Sequence, residues 1–292
     1  MYYKSPAYKV FYTINVLFLL LAALACVLPL IHILAVSFSA KEPANSNIVG
    51  LWPIGFNTDA YGQTFSNPNF LRSIVVSIER VALGTSIGMI ITVLTAYPLS
   101  KMNANFKGRS AYTWFFVFTM LFNGGLIPTY IVIQKLHLMN SIWALVLPGA
   151  VSAWNTVLLL NFFKTIPKDL EEAAVIDGAS HIKTLIYIYL PVSLPSLATL
   201  SLFTMVAHWN SWFDGMIYIA EARKWPLSTL LQTIVVTEDF SKINLRPEDV
   251  KLISNNTVKA SQIFIGALPI LLVYPFLQKY FVKGMVLGAV KE

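Results

Sequence analysis

Six stretches of this chain carry no Asp, Glu, Lys or Arg: residues 10–40 (31 residues), 81–100 (20), 110–134 (25), 136–163 (28), 184–213 (30) and 260–278 (19). A bilayer's hydrocarbon core takes about 20 apolar helical residues to cross. In lipid every backbone N–H and C=O must be bonded within the segment, which a helix does unaided. Each stretch meets the length, although the second must draw on residues 71–80 and the fourth opens with a polar turn over 137–141. The expected fold is an all-α integral membrane protein with six transmembrane helices in a single domain, 1–292. Composition agrees: 56% of residues are hydrophobic and only 12% charged, half the globular norm of ~25%. So little charge would not keep that much apolar surface in water, and so apolar a chain is not disordered.

The first stretch has signal-peptide features, with Lys4 and Lys9 before it and Ala23-Leu24-Ala25-Cys26 resembling a lipoprotein cleavage site. Signal cores run only about 7–15 residues, whereas this one continues past Cys26 to Phe38, so an uncleaved first helix is expected. Orientation follows from Lys and Arg in the short connections. With the N-terminus inside, eleven basic residues face the cytoplasm (Lys4, Lys9, Lys101, Lys107, Arg109, Lys164, Lys168, Lys183, Lys279, Lys283, Lys291). Only Lys41, Arg72 and Lys135 fall in the short outer connections. Both termini are therefore expected in the cytoplasm. That asymmetry also accounts for the net charge of +7, since the basic residues form no dense cluster suited to nucleic acid. The long connection 220–259 is external and nearly neutral, and its apolar run from Trp225 to Val236 predicts a small ordered element. The lone Cys26 gives no disulfide framework, and the four histidines have no metal-type spacing.

The cytoplasmic connection 164–183 is the most informative. Pro167 suits a helix start, and Asp169, Glu171 and Glu172 fall in the early turns, where the helix dipole favours anions. Gly178 can end that helix in a left-handed cap and Ser180 can begin the next. The segment reads as helix, glycine turn, helix. Its four acids (Asp169, Glu171, Glu172, Asp177) outnumber its three lysines, which does not suit an anionic membrane surface. Ala173 and Ala174 offer a low face for a protein partner, although an ordinary solvated loop helix has the same composition.

Glu172-Ala173-Ala174, Gly178, Ile188 and Leu190-Pro191 stand at the spacing of the EAA signature of ATP-binding-cassette (ABC) importer permeases, which this chain resembles from about residue 70 to 282. Ala96-Tyr97-Pro98-Leu99-Ser100-Lys101, Asn161-Phe162-Phe163, His208-Trp209-Asn210 and the tail from Val282-Lys283-Gly284 to Lys291 are similar to the carbohydrate branch. Within it the chain looks most like maltose-type and oligosaccharide permeases, including the alginate importer. The resemblance implies a type I importer permease fold with a cytoplasmic coupling helix, and ATPase-coupling roles for Leu170, Glu171, Glu172, Ala173, Ala174, Asp177, Gly178 and Pro191. It implies a second, homologous permease, two cytoplasmic ATPase subunits and an external solute-binding protein, with 220–259 as a docking segment. The chain has no phosphate-cradling G-x-x-x-x-G-K-[ST] loop. ATP and Mg are therefore expected in partner subunits, with no cofactor, catalytic residue or metal of its own. The expected substrate is a sugar or oligosaccharide, an acidic one such as alginate or uronate oligomers included.

Ionisable groups at membrane depth demand a partner or a watery cavity. Arg80 would lie ~14 Å below the outer face. It fits either a translocation route for an acidic sugar or an interhelical salt bridge, to Glu79 or to a sister subunit. His208, Trp209, Asn210, Trp212 and Asp214 fit either a sugar-lining outer cavity or an interfacial aromatic belt. Asn123, with Gly124-Gly125 and Pro128, interrupts the third span, Pro191 and Pro195 interrupt the fifth, and Asn155 is a further polar candidate. An ion-driven transporter would need intramembrane carboxylates; only Glu79 and Asp214 qualify, without repeat symmetry. An enzyme acting on lipid-linked sugars would need a cluster of acids and metal ligands that this sequence does not present.

Overall fold

The computed structural model describes residues 5–101, 106–236 and 256–289, with side chains described as far as Val273 and at Pro275. Every regular element among them is helical. Three helices are continuous and apolar enough to cross a membrane: α1 (Pro6–Ser37), α4 (Pro68–Ser100) and the last helix, whose apolar part is Asn256–Val273. Short α2 (Lys41–Asn45) and α3 (Asp59–Ser66) lie between the first two. Pro6 opens α1, where a missing N–H costs nothing, and Ser5 Oγ accepts from Tyr8 N at 3.2 Å. The apolar window of α1 is wholly unburied within the chain, as suits a helix whose solvent is lipid.

The other three expected spans are broken. α5 (Arg109–Leu121) and α6 (Leu126–Lys135) meet at 113°. There Asn123 Oδ1 accepts from Gly125 N at 2.8 Å, and Gly125 takes φ +88°, so the side chain satisfies a turn that the glycine makes possible. α7 (Ile142–Val146), with a 3₁₀ turn over Leu147–Gly149, bends 46° into α8 (Ala153–Phe163). Ser152 caps α8 by accepting from Asn155 N at 3.2 Å. The fifth span passes from α10 (His181–Thr184) through a π turn (Leu185–Tyr189) and α11 (Leu190–Val192), then bends 81° into α12 (Leu194–Asn210). That bend falls at Ser193, between the two prolines. The expected count of six spans holds when each bent pair is taken as one. The interruptions expected in the third and fifth spans are present, and the fourth, with Pro148 before its bend, is broken as well.

Beyond α12 come α13 (Phe213–Tyr218) and α14 (Leu227–Val236), then α15 (Asn256–Ala289). α14 is the ordered element expected of the Trp225–Val236 run. The rest of the connection expected to be external, 237–255, and the side chains of the tail motif 282–291 lie outside the described residues. The chain forms two compact units: Met1–Phe70 with Leu231–Leu268, and Leu71–Leu230 with Pro269–Glu292. Within the first, Phe38 stacks on Phe56 and packs at a tilt against Tyr61, and Thr64 Oγ1 lies 2.6 Å from Ser261 Oγ. Within the second, Ala96, Leu99, Leu159, Leu160, Phe163, Leu185 and Leu200 form a buried core, and the functional side chains sit at its two ends.

Candidate functional site: a polar cavity and a helical hairpin

A cavity of about 540 Å³ opens among α4, α7, α8, α12 and α13. Arg80, 2% exposed, reaches its wall from α4. Nη1 donates to Ser211 O at 2.9 Å and to Asp214 Oδ1 at 3.2 Å, and Nη2 pairs with Asp214 Oδ2. Asp214 Oδ1 also accepts from Ser211 Oγ and Gly215 N, each at 2.9 Å. A buried charge persists only when paired and hydrogen-bonded, and Asp214 does both. The partner of Arg80 is therefore Asp214 of the same chain; Glu79 is exposed and takes no part.

Local packing fixes this arrangement. Ser228 Oγ donates to Ser211 O at 2.7 Å, Thr229 Oγ1 to Trp212 O at 2.8 Å, and Leu227 N to Ser77 Oγ at 2.7 Å. The start of α14 thus props the turn that presents Asp214. Gly215 packs so closely on Thr229 that a Cβ would overlap it. On α4, a Cβ at Gly84 would occupy the space of the His208 ring, and one at Gly88 would touch Ala150 O at 3.5 Å. The sequence reading passed over this pair, although a four-residue glycine spacing in an apolar helix is the signal of close helix approach.

Four of the eight substrate-path candidates line this cavity: Arg80, Asn155, His208 and Asp214. Asn155 Nδ2 donates to Thr204 Oγ1 at 3.0 Å. Trp154, 58% exposed, adds an aromatic face that the sequence reading missed. Trp209 and Asn210 line a separate apolar groove beside Ile78 and Pro269. Trp212 stacks edge-on to Phe213, and Asn123 is spent on the α5–α6 turn.

At the opposite end of the unit, α9 (Lys168–Ile176) follows Pro167, which stands at its N-cap. Gly178 takes φ +74°. Gly178 N donates to Val175 O at 3.0 Å and Ala179 N to Ala174 O at 2.9 Å, the paired bonds of a Schellman cap. Ser180 Oγ accepts from Lys183 N at 3.4 Å and opens α10. Leu170, Glu172, Ala173, Val175, Ile176 and Asp177 are exposed, while Ala174 is buried. Glu171 turns inward instead: Oε1 is 2.7 Å from Lys101 Nζ and Oε2 accepts from Tyr189 OH at 2.8 Å. Burial works to raise its pKa, but the bonds from Lys101 and Tyr189 outweigh it and hold the carboxyl below its ordinary range.

Residues 1–287 match the family of binding-protein-dependent transport system inner membrane components. The chain is 42% identical over 279 residues to the polygalacturonan/rhamnogalacturonan transport system permease protein YtcP of Bacillus subtilis, covering 94% of this chain and 96% of that one. It is 40% identical over 289 residues to protein LplC of the same organism, covering 99% and 97%. Among solved structures it superposes with a TM-score of 0.86 and 30% identity on a chain of a bacterial ABC transporter involved in the import of the acidic polysaccharide alginate, covering 95% of this chain and 98% of that one.

Proposed function

The chain belongs to the family of binding-protein-dependent transport system inner membrane components, and from that membership we infer that it is a permease subunit of an ABC importer that moves an oligosaccharide into the cytoplasm. The observation that carries the reading is the hairpin, whose rigid Schellman turn leaves Leu170, Val175 and Ile176 exposed beside Glu172. Apolar side chains so placed at a membrane protein's aqueous end fit a groove on a soluble partner. In the proposed assembly that partner is one of two ATPase subunits, which hold ATP and Mg. A second permease completes the pathway, and an external solute-binding protein delivers the sugar. Both termini and the hairpin face the cytoplasm.

The cavity supports a sugar as cargo. An aromatic face (Trp154) beside amide, hydroxyl and carboxylate groups (Asn155, Thr204, Asp214) suits the C–H and O–H surfaces of a saccharide. One similar protein is a polygalacturonan/rhamnogalacturonan transport system permease and another belongs to a transporter involved in the import of the acidic polysaccharide alginate, so the proposed cargo is a uronate-containing oligosaccharide. Arg80 is not a free receptor for its carboxylates, because the guanidinium is already neutralised by Asp214. Recognition in this cavity then runs through hydroxyls, and the charge of the cargo is met elsewhere in the importer.

The test is binding-protein-stimulated ATP hydrolysis by the purified importer in proteoliposomes, with oligogalacturonate set against neutral maltooligosaccharide. Stimulation by the acidic sugar is expected. Stimulation by the neutral sugar alone would overturn the acidic assignment, and none by either would overturn oligosaccharide import.

A further inference from the structure

The foot of α4 is fastened to the hairpin by a cluster of four side chains. Lys101 immediately follows α4 and is 9% exposed. Its ammonium lies 2.7 Å from Glu171 Oε1, 4.0 Å from the ring centre of Tyr97 and 4.1 Å from that of Tyr189. The two rings meet edge to face at 5.0 Å, and the Tyr189 hydroxyl donates to the other carboxylate oxygen of Glu171. Arg109 Nη1 donates to Lys101 O at 2.6 Å and fixes the backbone there. Burial lowers the pKa of this ammonium, and the Glu171 carboxylate works against that, while both aromatic faces attract the cation. These contacts join three segments: the end of α4, the first turns of α9, and the π turn.

The two routes from the hairpin towards the cavity differ mechanically. The covalent route runs up the fifth span, through a π turn and an 81° bend at Ser193. Such irregularities yield under load, because their hydrogen bonds are already rearranged. The other route is α4, a single helix of 33 residues whose one internal proline, Pro98, lies in its last turn, and so ~50 Å long. Arg80 stands 21 residues before Lys101 and Gly84 stands 17 before it, about 30 and 25 Å along the same helix. Arg80 bonds Asp214 in the cavity wall, and Gly84 packs so closely on His208, another lining residue, that a Cβ there would overlap its ring.

We propose that Lys101, Glu171, Tyr97 and Tyr189 are positioning residues that form a joint through which the hairpin drives α4, and that α4 carries the ATPase stroke to the cavity wall at Arg80 and Gly84. This rests on the transport reading above. Glu172 is left to the ATPase side of the hairpin and Glu171 to the membrane side.

The experiment uses the complete importer in proteoliposomes and reads three quantities: partner subunits retained, ATP hydrolysed, and sugar imported per ATP. Lys101→Met is expected to keep its partners and its hydrolysis while import per ATP falls about tenfold, within the range of ordinary coupling energies. Lys101→Arg keeps the charge and the ring contacts and restores most of the ratio. The double variant Lys101→Met with Glu171→Gln loses no more than the worse single variant, as for residues acting through one another. A normal ratio in Lys101→Met, or additive losses in the double variant, would overturn the joint. Where Lys101→Met fails to assemble, Tyr189→Phe, which removes one hydrogen bond only, is read in the same way. A wild-type importer showing no ATP-driven uptake would overturn the transport reading itself, and the joint's function with it.

Discussion

Arg80 shows what a charge at membrane depth requires. Its guanidinium spends both terminal nitrogens on Asp214 and the carbonyl of Ser211, while Nε has no partner among the described residues. Removing the carboxylate leaves a buried cation uncompensated, at a cost of about 3–5 kcal/mol. Asp214→Ala should therefore lower the thermal midpoint of the detergent-solubilised chain sharply. Arg80→Met with Asp214→Leu, which removes both charges, should lower it far less; an equal drop in the two would refute the pairing. Gly84 makes a similarly local demand. Gly84→Ala places a methyl where the His208 ring lies, so the ring must rotate towards the cavity. Import should fall in that variant, and His208→Ala in the same chain should relieve the clash; a double variant no better than Gly84→Ala would count against the contact. Arg80, His208 and Asp214 were all legible as polar residues out of place in an apolar sequence. Their pairing was not, because Arg80 and Asp214 stand 134 positions apart and sequence spacing carries no information across such a distance. Glu171 was legible as an acid in a helix start and, through the family resemblance, as a coupling residue, but not as one that turns inward. Its inward turn depends on Lys101 and Tyr189, which arrive from other elements.

Helices in this chain break where their residues dictate. The interruption at Asn123-Gly124-Gly125 and the turn at Gly178 were both readable, since each needs side-chain chemistry or a backbone conformation that particular residues supply. The bend after Leu147–Gly149 and the π turn before Pro191 were not. A proline inside an apolar run is equally consistent with a continuous helix, as Pro98 inside α4 demonstrates. The Gly178 turn gives a clean test of backbone against side chain. Nothing lies within 4 Å of a Cβ built there, yet φ is +74°, so a substituent meets only backbone strain, ~1–2 kcal/mol for an ordinary L-residue. Gly178→Val is expected to insert and retain its partners while import per ATP is lost, and Gly178→Asn, which tolerates the left-handed region, should retain it. If asparagine proved as damaging as valine, the strain argument would fail. The hairpin's attachment also carries a pH sign. The folded pKa of Glu171 is lowered, so its contribution is complete above the ordinary Glu value of about 4.3 and is lost as pH falls through the lower folded value. Import per ATP should accordingly show no Glu171-linked change between pH 6 and 8; a change there that disappears in Glu171→Gln would contradict the direction of the shift.

For the molecule as a whole, the family and the six-span composition follow from apolar length and one cytoplasmic motif, and both are properties of contiguous sequence. The cavity is not, because it draws residues from five elements spread over more than 130 positions of the chain. What joins these scales is sidedness: the hairpin can meet an ATPase, and the Arg80–Asp214 cavity an external sugar, only if they lie at opposite ends of the membrane. The count of eleven basic residues against three in the short connections predicts that polarity through the positive-inside rule. It can be measured with cysteine labelling, since Cys26 is the chain's single cysteine and can be replaced by serine. Arg223, exposed beside the turn that enters α14, and Lys164, exposed before α9, then serve as single-cysteine positions. A membrane-impermeant maleimide applied to cells whose cytoplasmic membrane is intact and externally accessible should label Arg223→Cys at once. Lys164→Cys should react only after that membrane is broken. The opposite pattern would place the EAA hairpin outside, where no ATP is available, and would force the coupling role onto another cytoplasmic segment.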